Sequence, residues 1–234
     1  MFFDPMYFVI VGPGILLAML AQWMVKSAFE TGRKYSARCG LTGAEVAQRI
    51  LDANGIHHVG IEPTRGFLGD HYDPRNKVLR LSPDVYGGRH LAALGVAAHE
   101  VGHAIQDKTN YAFLTIRNGL VPLASIGSNL SFLLIMIGLF FVYANAVTVG
   151  KTVAIAGFVF FGVVVLFQLI NLPVEFDASN RARRSLLDLS IVAESEDRMV
   201  GKVLNAAAMT YVAATITALL QMMYFAYRIF GDRR

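Results

Sequence analysis

A single cysteine, Cys39, in 234 residues excludes an internal disulfide framework and any paired-thiolate metal site. Charge is scarce too: 16% of residues are Asp, Glu, Lys or Arg, against roughly 25% in soluble domains, so much of this surface cannot be meeting water. The net charge of +4 is not gathered into a basic stripe with interleaved aromatics, which excludes a nucleic-acid partner. No basic segment precedes the first apolar run and no A-x-A site follows it, so that run reads as a retained anchor and not a cleaved signal peptide.

What remains is hydrophobic: 55% of the chain, with mean hydropathy +0.48. The apolar residues collect into four runs long enough to cross a bilayer, about Tyr7–Val25, Leu120–Val147, Val153–Ile170 and Val203–Ile229. Trp23 and Lys26 mark the interfacial exit of the first, and Gly12-Pro13-Gly14 should kink it as a packing device. The second and third form a hairpin with its tip at Thr148–Lys151, and Ser125, Ser128 and Asn129 should face protein. Small residues in the fourth, Ala206, Ala207, Ala208, Ala213 and Ala214, suit close helix packing.

These runs divide the chain into an N-terminal anchor (1–25), a polar domain (26–117), a transmembrane hairpin (118–171), a second polar segment (172–202) and a C-terminal span with its tail (203–234). Lysine and arginine set the orientation. Twelve lie between Lys26 and Arg117 and five between Asn171 and Lys202, whereas the hairpin tip has only Lys151, so both polar segments should be cytoplasmic. Arg228, Arg233 and Arg234 run against that rule, because four spans put the tail outside.

Within the first polar segment, Thr42 with Glu45 is a capping box and Leu41 with Val46 a hydrophobic staple, starting a helix that should stop at Asn54-Gly55. His57–Ile61 and Asn76–Ser82 read as strands, the second preceded by an Asp73–Asn76 turn and suited to a sheet edge, where a substrate could add. A helix follows from about His90 to Gln106.

That helix carries His99-Glu100-Val101-Gly102-His103, an H-E-x-x-H pattern. Residues four apart share a helix face, so both imidazoles can meet one Zn²⁺, while Glu100, turned about 100° away, is placed as a general base. Zinc lowers the pKa of a water to about 7 and polarises a carbonyl, which makes metal-assisted amide hydrolysis the reaction class. Gly102 suggests close approach of a neighbouring helix or of substrate. His57, His58, His71 and His90 lack partners at ligand spacing and read as structural, and Glu194, Glu196 and Asp197 read as a solvated face. Glu175, just past Pro173 where the third run should break or kink on leaving the bilayer, is the best third ligand.

Asp70–Pro74, Lys77–Pro83, the helix Ala97–Gln106 and Pro173–Ser179 together resemble the YugP-type neutral zinc metallopeptidases of bacterial membranes, over almost the whole chain. The resemblance implies a mainly α membrane protein of about four spans with a small α+β, gluzincin-like zinc-peptidase domain in the cytoplasm. It also implies His99, His103 and Glu175 as zinc ligands and Glu100 as base. More distantly the chain is similar to HtpX and the CAAX prenyl proteases, in which an Asp four residues after the ligand Glu orients a histidine. Position 179 is serine here, so Asp177 is the nearest substitute, with Arg181 a candidate oxyanion stabiliser.

The expected function is an endopeptidase of the bacterial inner membrane, acting at its cytoplasmic face on peptide or membrane-protein substrates with the bilayer as its other partner. The alternative is a non-catalytic membrane scaffold or interaction protein with a structural zinc site.

Overall fold

The computed structural model describes residues 4–65 and 69–231, so Arg233 and Arg234 lie outside the described residues. The chain is mainly helical. Its elements run α1 (Pro5–Arg33), α2 (Gly43–Ala53), β1 (Gly60–Pro63), β2 (His71–Asp73), β3 (Val78–Leu81), α3 (Pro83–Tyr86), α4 (Leu91–Lys108), α5 (Ala112–Tyr143), α6 (Val147–Asp188) and α7 (Glu194–Phe230). Among the described residues α1, α5, α6 and α7 are the four helices long and apolar enough to span a membrane.

Two compact units emerge, one of Met1–Leu20, Ile116–Leu172 and Tyr211–Arg234, the other of Ala21–Thr115 and Pro173–Thr210. The first is the apolar one. Within it α5 and the start of α6 pack almost backbone to backbone: a Cβ on Gly138 would lie 2.5 Å from the Ala154 nitrogen. The hairpin turns at Ala144–Ala146, not at 148–151, because Asn145 adopts a left-handed conformation (φ 64°) and ends α5. Ser125, Ser128 and Asn129 do not face protein. They are exposed, and Ser128 and Asn129 donate to the Ser125 carbonyl of their own helix, so neither needs a neighbour.

Both prolines lie inside continuous helices, Pro13 in α1 and Pro173 in α6, so of the break or kink expected at Pro173 the break does not occur. Each proline removes one hydrogen bond, and neighbouring turns carry the helix across. Near Pro13 the Thr217 hydroxyl donates to the Gly14 carbonyl at 3.0 Å. In the same unit Arg228 and Tyr224 both bind the Asp4 carboxylate, so Arg228 is neutralised instead of standing free against the charge rule.

The second unit is built around α4. Fourteen of its 18 residues are buried, so polar groups on it must find protein partners. Its start is set by His90, whose Nδ1 accepts from the Ala93 N–H, and the preceding α2 has the full capping box, with Thr42 and Glu45 bonding reciprocally. Val46, Ala47, Ile50 and Leu51 of α2 enter one core with Leu94, Ala97, Ala98 and Val101 of α4. The sheet order is β1-β3-β2, with β1 parallel and β2 antiparallel to β3. β3, expected at an edge, is therefore central: its Val78, Leu79 and Leu81 are buried, and two-sided pairing suits that. The strand β2, with no alternating run long enough to announce it, is an edge. Tyr72 of β2 donates to Asp107 of α4 at 2.6 Å, and Lys77 pairs with the same carboxylate, so the sheet is tied to the helix.

Glu196 and Asp197 are not a solvated face. Glu196 accepts from the Arg38 and Ala193 backbone N–H groups, and Asp197 holds Arg183, while Glu194 is exposed as expected.

Candidate metal centre

On α4, His99 and His103 stand one turn apart with ring centroids 4.8 Å from each other. On α6, the buried positions Val174, Glu175, Ala178, Ser179 and Ala182 follow the helical period and form the face turned into the core. The two faces meet at Gly102, where a Cβ would lie 2.5 Å from the Ala178 carbonyl oxygen; the neighbour that glycine admits is α6.

This approach brings Glu175 to the histidines. Its Oε2 lies 3.2 Å from His99 Nε2 and 3.7 Å from His103 Nε2, and one ligand atom from each residue falls within 4.8 Å of the others. Oε2 is fully buried without a hydrogen-bond partner, an orphan acceptor beside two ring nitrogens. Two imidazoles and a carboxylate oxygen are the donor set of hydrolytic zinc sites, so these residues fit a zinc ion.

The far sides of both rings are occupied. Gln106, one turn beyond His103, gives its amide hydrogens to the Val174 carbonyl and the Asp177 carboxylate, each at 2.8 Å. Both partners accept only, which fixes the amide and leaves Oε1 to accept from His103 Nδ1 at 3.0 Å. His103 therefore carries a proton on Nδ1, and in the neutral ring Nε2, which faces Glu175, is the nitrogen left for a metal ion. His99 Nδ1 is held by Ser179 Oγ at 3.1 Å.

Asp177 thus acts on a histidine through Gln106 and touches neither ring, and Arg181 binds Asp177 and stacks 5.7 Å from the Tyr111 ring centre. Gln106, three residues after His103 on the same helix face, was missed in the sequence, and Ser179 was set aside in favour of Asp177, although Ser179, one turn after Glu175, is the residue that meets His99. Neither His57, His58, His71 nor His90 joins the cluster. Replacing Gln106 by Leu is expected to weaken zinc affinity about 10- to 100-fold, measured by competition with a chromogenic chelator, because His103 loses its orientation.

Glu100 is buried one residue from His99. Burial pushes its carboxyl up to about 7, and the charges of Glu175 and Asp70 push the same way, while His99 and the Tyr72 backbone N–H act against them. Asp70 is itself raised by burial, although the Ser82 N–H and hydroxyl both donate to it. A divalent cation at the rings would favour the charged form of Glu100.

Among the described residues, four helices long and apolar enough to span a membrane and a largely buried centre of two histidines and a glutamate, suited to a metal ion, mark the class as a membrane protein with a candidate metal site. The family described as "Putative neutral zinc metallopeptidase" matches residues 7–229, and the chain belongs to it. The chain is 44% identical over 209 residues, 89% of its own length and 90% of the relative's, to the "Putative membrane protease YugP" of Bacillus subtilis (strain 168). No solved structure matches it.

Proposed function

We propose that this chain is a zinc-dependent endopeptidase that hydrolyses peptide bonds near the cytoplasmic face of the membrane, with His99, His103 and Glu175 as ligands and Glu100 as general base. The observation that carries it is the convergence of one oxygen and two nitrogens within 4.8 Å, beside a buried carboxylate that takes no part in ligation. A purely structural clamp has no use for that carboxylate, which is costly to bury.

Bound zinc would supply Lewis acidity to the scissile carbonyl and to a water. Glu100 takes a proton from the attacking water as its oxygen bonds to the carbonyl carbon. The same carboxyl then returns that proton to the leaving nitrogen as the C–N bond breaks, so each turnover consumes one water. Gln106 and Ser179 hold the rings, and Gln106 is held in turn by Val174 and by Asp177, which Arg181 binds. The free edge of β2, tied to α4 through Tyr72, suits an extended substrate strand. The basic residues of both polar segments support a cytoplasmic site.

Purified protein is expected to carry one zinc per chain, and Glu175→Ala to lose most of it. Stripping with a chelator should stop cleavage of unfolded membrane-protein substrates, zinc should restore it, and the metal-free form should melt at a lower temperature, since a ligand at 100 times its Kd adds about 2.7 kcal/mol. Zinc-loaded protein that cuts no peptide bond, or a Glu175→Ala variant that keeps stoichiometric metal, would overturn the assignment.

A further inference from the structure

The second unit has a cleft remote in sequence from the metal ligands, formed where the end of α1 lies along the start of α7. It encloses about 670 Å³ and is lined by Trp23, Met24, Ser27, Arg198, Lys202 and Asn205, with Ala206 and Met209 continuing its apolar side. Both helices change character here: the apolar run of α1 ends at Val25, and that of α7 begins at Val203. The cleft thus spans a polar-to-apolar transition on both walls, as the headgroup depth of a bilayer does.

Its charges are uneven. Arg183, folded over Gly201, is neutralised by a two-bond pair with Asp197. Arg198 and Lys202, one turn apart and both exposed, have no carboxylate within ion-pair range among the described residues. Two free cations therefore top a cleft whose lower wall is indole, thioether and methyl. Trp23, the only tryptophan, is 66% exposed there, a large apolar surface that the protein itself leaves uncovered.

We propose that this cleft binds an anionic glycerophospholipid, its phosphate between Arg198 and Lys202 and one acyl chain along Trp23, Met24 and Met209. Ser27 and Asn205 carry donors for the phosphate or glycerol oxygens. A zwitterionic lipid is disfavoured, because its ammonium would add a third positive charge to a cleft whose lining holds no carboxylate. Bound lipid would join α1 to α7, the two helices that flank the core holding α4.

The full chain, exchanged into nanodiscs and released in detergent, is read by native mass spectrometry for retained lipid. Phosphatidylglycerol should be retained in preference to phosphatidylcholine. Each cation near an anionic surface is worth about a fivefold factor, so Arg198→Gln with Lys202→Gln should reduce retention about 30-fold. Asn205→Trp, which fills the cleft without changing its charge, should abolish retention as well. Lys26→Gln with Arg184→Gln, which removes the same charge outside the cleft, should leave it intact.

Equal retention of the two lipids would overturn the proposal, and so would equal loss in the control pair, retention by Asn205→Trp, or full displacement by millimolar inorganic phosphate. The last result would mark a site for free phosphate.

Discussion

Glu100→Gln protein is expected to bind zinc as tightly as the parent and to cleave peptides about 10²- to 10⁴-fold more slowly, the range general-base removal produces. The amide has nearly the shape of the carboxyl and leaves His99, His103 and Glu175 untouched, but it cannot take a proton from water. Its melting temperature should not fall, because an ionised carboxylate is costly at this buried position and the amide is not. Single-turnover cleavage and metal content measured on the same preparation separate the outcomes. Unchanged cleavage would remove Glu100 from the reaction, and lost zinc would make it a structural residue.

Gly102→Ala is expected to be nearly as damaging, although glycine is the poorer helix former and an exposed site would gain stability from the change. The new methyl would meet the Ala178 oxygen at 2.5 Å, its carbon at 3.0 Å and its Cα at 3.1 Å, all backbone atoms that cannot rotate away. Separating α4 from α6 costs about 1–3 kcal/mol by the usual measure of overpacking. It also draws Glu175 and Ser179, on either side of that contact, away from the histidine rings. The variant should therefore lose zinc affinity and melting temperature together, whereas Glu100→Gln loses neither. A normally metallated, stable Gly102→Ala protein would show that the contact is not tight in solution.

Much of the architecture was legible along the chain because it depends on local chemistry. The capping box at Thr42 and the stop at Asn54-Gly55 enclose α2 as expected, and the four apolar runs became four membrane-length helices. The errors came where a residue's partner was distant or another local bond intervened. Pro173 offered a break or a kink, and the surrounding turns hold α6 continuous through it. Asn145 turned the hairpin earlier than the polar Thr148–Lys151 suggested. Glu196 and Asp197 looked solvated because Arg38 and Arg183, their partners, belong to other parts of the chain. The strand β2 was invisible because three residues give no period to read.

The amino-acid order alone set the ligand pair on α4, since a four-residue interval on a helix aligns two side chains wherever the helix lies. It also set hydrophobic length and the uneven placement of cations, which are sums over neighbours. Tertiary packing decided which carboxylate joins that pair and which atoms of each ring remain free. Glu175 arrives through the glycine-lined contact of α4 with α6, and Gln106 fixes the His103 tautomer only because Val174 and Asp177 lie beside it. Such relations join residues about 70 positions apart, and no pattern of adjacent residues encodes a distance across the core.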